Sequence, residues 1–150
     1  MLTLLAAAML FAAQADPLEP IAWLLGPCWY NRNDPDGESR LCYERMPNGE
    51  IHGRLEEIKD GEATELAETR YRWDADAQVI RYIVDRPGTA NDVIGIARAD
   101  GGTIDMGEII VRGRHLDWTQ VRTDEDRFES RIDLRDGDGP QPTSVFIREE

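Results

Sequence analysis

Turn signals recur every 10 to 14 residues from residue 28 onward, and that spacing limits the fold more than any other feature of the chain. They are Asp34-Pro35-Asp36-Gly37, Pro47-Asn48-Gly49, Asp60-Gly61, Asp74-Ala75-Asp76, Arg86-Pro87-Gly88, Asp100-Gly101-Gly102, Arg112-Gly113, Thr123-Asp124-Glu125-Asp126 and Asp136-Gly137-Asp138-Gly139. Asn-Gly and Asp-Gly supply the positive φ that tight hairpin turns need. Nine turns imply ten strands. A parallel sheet needs a crossover of a dozen residues or more between strands, and no interval here has room for one. The strands are therefore antiparallel.

The segments between turns alternate with period two. Phe128, Ser130, Ile132 and Leu134 face one way, and Arg127, Glu129, Arg131 and Asp133 the other. Ala67, Thr69, Tyr71 and Trp73 alternate with Leu66, Glu68, Arg70 and Arg72, and Leu116 and Trp118 alternate with His115, Asp117 and Thr119. One dry face and one wet face is the antiparallel pattern. A twisted sheet of ten strands tends to curl or close, and closure removes exposed edges. The fold class expected is all-β: a single antiparallel up-and-down barrel of about ten strands. A short helical turn, Leu18 to Leu25, precedes it.

The N-terminus points to export. Leu2 to Ala13 is an apolar run of about a dozen residues, the length of a signal-peptide core and too short to span a bilayer. It ends in Ala13-Gln14-Ala15, a small-x-small cleavage site, although its n-region holds no Lys or Arg. The expected division is a signal peptide over residues 1–15 and one barrel domain over 16–150, periplasmic or secreted. The formal net charge of −13 lies wholly in the mature part. It argues against nucleic acid and anionic membrane surfaces as partners and for a solvated, monomeric protein with no membrane insertion.

Cys28 and Cys42 are the two cysteines, and an exported chain with an even count favours their pairing. They are equidistant from Pro35, so an antiparallel hairpin about that turn sets them opposite each other. Opposed strand residues approach to about 4.5–5.5 Å between Cα atoms, which suits a disulfide.

The opening Trp23-Leu24-Leu25-Gly26-Pro27-Cys28-Trp29 resembles the Gly-x-Trp start of lipocalin-type barrels, here with two residues between Gly26 and Trp29. With its string of hairpins and the closing Val145-Phe146-Ile147-Arg148, the mature chain is similar to small bacterial lipocalin-like (calycin) barrels of unknown function. Ten-stranded nitrobindin-like barrels share that layout. The resemblance implies a barrel fold and a ligand-binding role. Nitrobindin-like barrels hold haem through a histidine. Here His52 alternates away from Ile51 and Leu55, and His115 away from Leu116 and Trp118, so both imidazoles are expected outside and no cofactor is expected.

No catalytic constellation stands out. There is no Gly-x-Ser-x-Gly elbow and no inward histidine to activate a hydroxyl. Adjacent carboxylates such as Glu56-Glu57 face opposite sides of a strand. The acidic turn Asp136 to Asp138 lacks the spacing of a calcium loop, so no metal is expected. The chain reads as a binding protein, not an enzyme. Its candidate ligand contacts are polar residues in phase with apolar neighbours, set among aromatic walls. Arg45 follows Leu41 and Tyr43, Glu57 follows Leu55, Glu108 follows Ile104 and Met106, and Gln120 follows Leu116 and Trp118. Tyr71, Trp73 and Trp118 supply the aromatic walls. Two functions are compatible with this: a carrier of a small, partly apolar ligand in the barrel lumen, or a closed barrel acting through its outer face as a protein-interaction or envelope module.

Overall fold

The computed structural model describes residues 15–34, 37–88, 92–111, 113–135, 137 and 143–148. The apolar leader, residues 1–14, and turn residues 35–36, 112, 136 and 138–140 lie outside the described residues. The chain forms ten strands: β1 Trp29–Asn31, β2 Glu38–Arg45, β3 Ile51–Lys59, β4 Glu62–Asp74, β5 Val79–Asp85, β6 Val93–Asp100, β7 Thr103–Val111, β8 Arg114–Asp124, β9 Arg127–Leu134 and β10 Thr143–Arg148. Each pairs antiparallel with its neighbours in the chain, and β10 returns to pair with β1. The result is a closed meander, consistent with a lipocalin-like fold. Among the described residues, the expected turns at 47–49, 60–61, 74–76, 86–88, 100–102 and 123–126 each fall at the junction of two strands.

Cys28 and Cys42 carry the register of the first hairpin. Trp29 is opposite Leu41 and Asn31 opposite Ser39, which places the cysteines opposite each other just outside β1. Their Cα atoms are 4.4 Å apart and their sulfurs are at disulfide distance. Such a pair fits an oxidising environment.

One end of the barrel is plugged. A 3-10 helical turn, Glu19–Leu24, has a proline in its first turn, where the missing N–H costs nothing. Asp16 accepts from the Leu18 backbone N–H at 3.0 Å, and the turn buries Leu18, Ile21 and Leu24. Trp29, fully buried, donates its indole N–H to Leu24 O at 2.9 Å. Trp23, Trp29 and Phe128 pack edge to face, and Phe128 stacks on Phe146. The Arg148 guanidinium lies 4.0 Å over the Trp29 ring and donates to Trp23 O at 2.7 Å. A long cationic side chain thus ties the last strand to the plug.

Two irregularities shape the wall. The β7–β8 register shifts between Asp105 and Gly107, and Gly107 has φ +66°. This is a bulge with glycine in the left-handed region. Between β6 and β7, ladder pairs run from Arg98/Asp105 to Asp100/Thr103. Among the described residues none joins 93–97 to 106–111. No helix of the described residues is long and apolar enough to cross a membrane.

Candidate functional site

The lumen opens at the end opposite the plug. It is a cavity of about 330 Å³, within the range of small-molecule sites. Its apolar wall comes from alternate positions of almost every strand, with Leu41, Leu55, Val84, Ile109, Leu116 and Ile132 prominent. Arg86, just past β5, lines it near the open end. Deeper in, the polar groups are all uncharged: Thr69, Ser130, Tyr43 and Gln120. Ser130 accepts from the Trp118 indole at 2.9 Å, which fixes the tryptophan along the wall.

Tyr43 and Gln120 form the floor, at 6% and 1% exposure. The Gln120 amide donates to the Tyr43 hydroxyl at 3.4 Å and accepts from the Tyr71 hydroxyl at 3.4 Å. Beneath them Tyr71 also approaches Met106 Sδ at 3.8 Å, and Tyr82 donates to Met106 O at 2.8 Å. Burial pushes the Tyr43 phenol up to about 12, the hydrogen bonds to Gln120 and Tyr71 opposing it. Tyr71 is raised well above its ordinary value, by burial first, and Tyr82 to about 12, again by burial. All three phenols are neutral at any physiological pH.

Glycines make room for these rings. Gly53 is opposite Tyr43 across β2–β3, and Gly95 opposite Tyr82 across β5–β6. A Cβ on Gly53 would lie 2.3 Å from Tyr43 Cε1, and one on Gly95 2.5 Å from the Tyr82 hydroxyl. Each ring therefore lies across a glycine backbone, against the wall.

Of the expected ligand contacts, Trp118 and Gln120 line the lumen. Tyr71 is directly under it, touching Gln120. The rest are elsewhere. Trp73 is half-buried at the plugged end, where it lines a separate polar cleft with Arg45, Arg72 and Glu50. Arg45 has the inward phase but stands at the end of β2, exposed, paired with Asp16 at 2.7 Å and donating to Gly49 O at 3.2 Å. Glu57 likewise keeps its phase but lies outside the cavity lining, paired with Lys59 at 2.9 Å. Glu108 is turned outward by the Gly107 bulge. Ile109 takes the inward place, and Glu108 meets His115 and, at 3.3 Å, Arg135 on the outer surface.

Both histidines are outside, as their alternation predicts. His52 is between Glu50 (2.8 Å) and Glu68 (3.1 Å), and His115 contacts Glu108. Neither reaches the lumen. Among the described residues no three His, Cys, Asp or Glu side chains are grouped as a metal would require.

The lumen residues missed from the sequence are Tyr43, Thr69, Arg86 and Ser130 as polar contacts. Arg86 follows Ile80, Tyr82 and Val84 at period two, a signal masked by the Arg86-Pro87-Gly88 turn. No family model matches the chain, and a search of curated proteins finds no match.

Proposed function

We propose that this protein is an exported carrier whose lumen holds a small, predominantly apolar molecule. The observation that carries the reading is the cavity of about 330 Å³. An apolar molecule seated there removes its own apolar surface and that of the wall from water, which is favourable. An apolar wall with a few polar groups is the usual composition of a ligand site. Export rests on the apolar leader and the Ala13-Gln14-Ala15 site, with support from the cysteine pair. Asp16, the residue after that site, is held by Arg45 and accepts from the Leu18 backbone N–H just before the 3-10 turn, so processing there leaves the plug intact. The reading is of a periplasmic or secreted monomer that binds and does no chemistry.

Native mass spectrometry of protein recovered from its host's envelope tests this. A bound mass of small-molecule size, lost on denaturation, is the expected result. An intact mass should correspond to a chain starting at Asp16. Bare protein in every preparation, with no uptake of apolar probes, would overturn the carrier reading.

A second reading, action through the outer face, has one observation in its favour. Ile94 (67% exposed) and Ile110 (58% exposed) face outward on β6 and β7, beside the stretch where those strands share no ladder pairs. The open lumen favours the carrier.

A further inference from the structure

We infer that the lumen takes an uncharged ligand whose leading end carries a carbonyl or hydroxyl oxygen, anchored on the floor by Gln120, which Tyr43 and Tyr71 orient. The inference rests on the carrier reading and specifies what is carried.

The floor is a buried polar group in an apolar chamber. A primary amide has two N–H donors and two acceptor lone pairs. The two bonds Gln120 makes, to Tyr43 and from Tyr71, use one of each, both at 3.4 Å. Good hydrogen bonds of these types measure about 2.5–3.2 Å, and Tyr82 in the same layer achieves 2.8 Å to Met106 O. Gln120 is therefore loosely held, with one donor and one lone pair left over, at 1% exposure. Both amide atoms have a partner, so what the floor offers a ligand is the spare N–H and the spare lone pair. A ligand oxygen seated on the floor accepts the second amide N–H. A hydroxyl there also donates to the free lone pair of Gln120 Oε1.

The same floor rejects the alternatives. A carboxylate or sulfonate driven in first would be a buried charge among Tyr43, Thr69, Ser130 and Gln120, with no cation at that depth; such burial is strongly unfavourable. Arg86 is the charged residue of the lining, and it stands at the other end. A pure hydrocarbon would offer the spare Gln120 N–H and lone pair nothing.

Three naphthalene probes of similar size separate these cases on the intact mature protein. They are the solvatochromic ketone prodan, N-phenylnaphthylamine, which has no oxygen, and anilinonaphthalene sulfonate, which adds an anion. Prodan should bind about tenfold more tightly than N-phenylnaphthylamine, the value of one hydrogen bond, and the sulfonate most weakly. In Tyr43→Phe, which frees the Gln120 N–H held by that hydroxyl, the prodan preference should persist, and in Gln120→Leu it should shrink toward parity. The emission of bound prodan should shift to the blue as its carbonyl loses a donor. Ala67→Trp, which fills the lumen, should abolish binding of both neutral probes. Equal binding of prodan and N-phenylnaphthylamine to the wild type, or a preference that survives Gln120→Leu, overturns the anchor while leaving the carrier reading standing. Failure of every probe to bind, or binding undiminished in Ala67→Trp, overturns both.

Discussion

Gly53→Ala is the sharpest test of how the lumen is kept open. Gly53 is a strand residue without positive φ, so its backbone accepts alanine. At such a site Gly→Ala ordinarily stabilises by about 0.4–1 kcal/mol, through the unfolded chain. Here the new Cβ would meet Tyr43 Cε1 at 2.3 Å and Cδ1 at 2.6 Å. Carbon atoms prefer about 3.5–4.0 Å, so the ring must move by roughly 1.2 Å or more. The barrel wall blocks outward movement. Inward movement loosens the bond with Gln120, crowds Tyr71, whose ring centroid is 6.5 Å away, and takes space from the cavity. Overpacking of this kind costs about 1–3 kcal/mol. The clash should outweigh the entropic gain, leaving the variant destabilised by about 1–2 kcal/mol in urea unfolding, with weaker N-phenylnaphthylamine uptake. Tyr43→Leu should relieve the overlap, so the double variant should be more stable than the sum of the two single effects predicts. A neutral or stabilised Gly53→Ala, or strict additivity with Tyr43→Leu, would refute the reasoning.

Other substitutions probe other parts. Thiol labelling of denatured, unreduced protein should find no free cysteine, and replacing Cys28 and Cys42 by serine should cost about 3 kcal/mol for a loop of this size. Arg45→Met should leave probe uptake unchanged and cost no more than about 1 kcal/mol, the worth of a partly exposed ion pair; lost uptake would return Arg45 to the site. Trp118→Ala should destabilise by about 3 kcal/mol, the lower end for a large aromatic because the residue is half-buried, measured by the same unfolding assay. In acid, the carboxylates of Glu50, Asp74 and Asp117 sit below their ordinary values, held there chiefly by hydrogen bonds from His52, Arg81 and Arg135. Unfolding returns them to ordinary values, so their contribution is complete above that range and is lost as pH falls through the lowered folded values. Glu50→Gln should flatten part of that acid loss, and an unchanged pH profile would show that the His52 contact contributes nothing.

The barrel was legible because its information is local. Each turn announces itself in two to four residues, and alternation between turns assigns faces without knowledge of the partner strand. The cysteine pairing followed from the same logic, since a symmetric turn fixes what stands opposite what. The expected contacts failed where the determinant was not local. Counting by twos through Ile104 and Met106 carries Glu108 inward, but one extra residue at Gly107 reverses the phase; a glycine inside a strand is the only trace the sequence leaves of it. Arg45 kept its phase and still missed the lumen. Its surroundings are set by where the segment from Asp16 docks, on the far side of a 29-residue separation.

The cavity itself is written as a relation between residues that no single segment contains. A tyrosine at an inward position ordinarily reads as filling, and three of them, Tyr43, Tyr71 and Tyr82, suggest a solid core. Tyr43 and Tyr82 instead each stand opposite a glycine, Gly53 and Gly95, once the hairpins are in register. The missing side chains let the rings lie along the wall, so bulk that would close the barrel lines it instead. That relation follows from turn position: the Pro47-Asn48-Gly49 turn pairs residues 43 and 53, and the Arg86-Pro87-Gly88 loop pairs 82 and 95. An open lumen is therefore recoverable from sequence, provided register is solved before volume is counted. The floor cluster is harder to recover. It joins Gln120 of β8 to Tyr43 of β2 and Tyr71 of β4 across the barrel axis, and only closure brings those strands face to face.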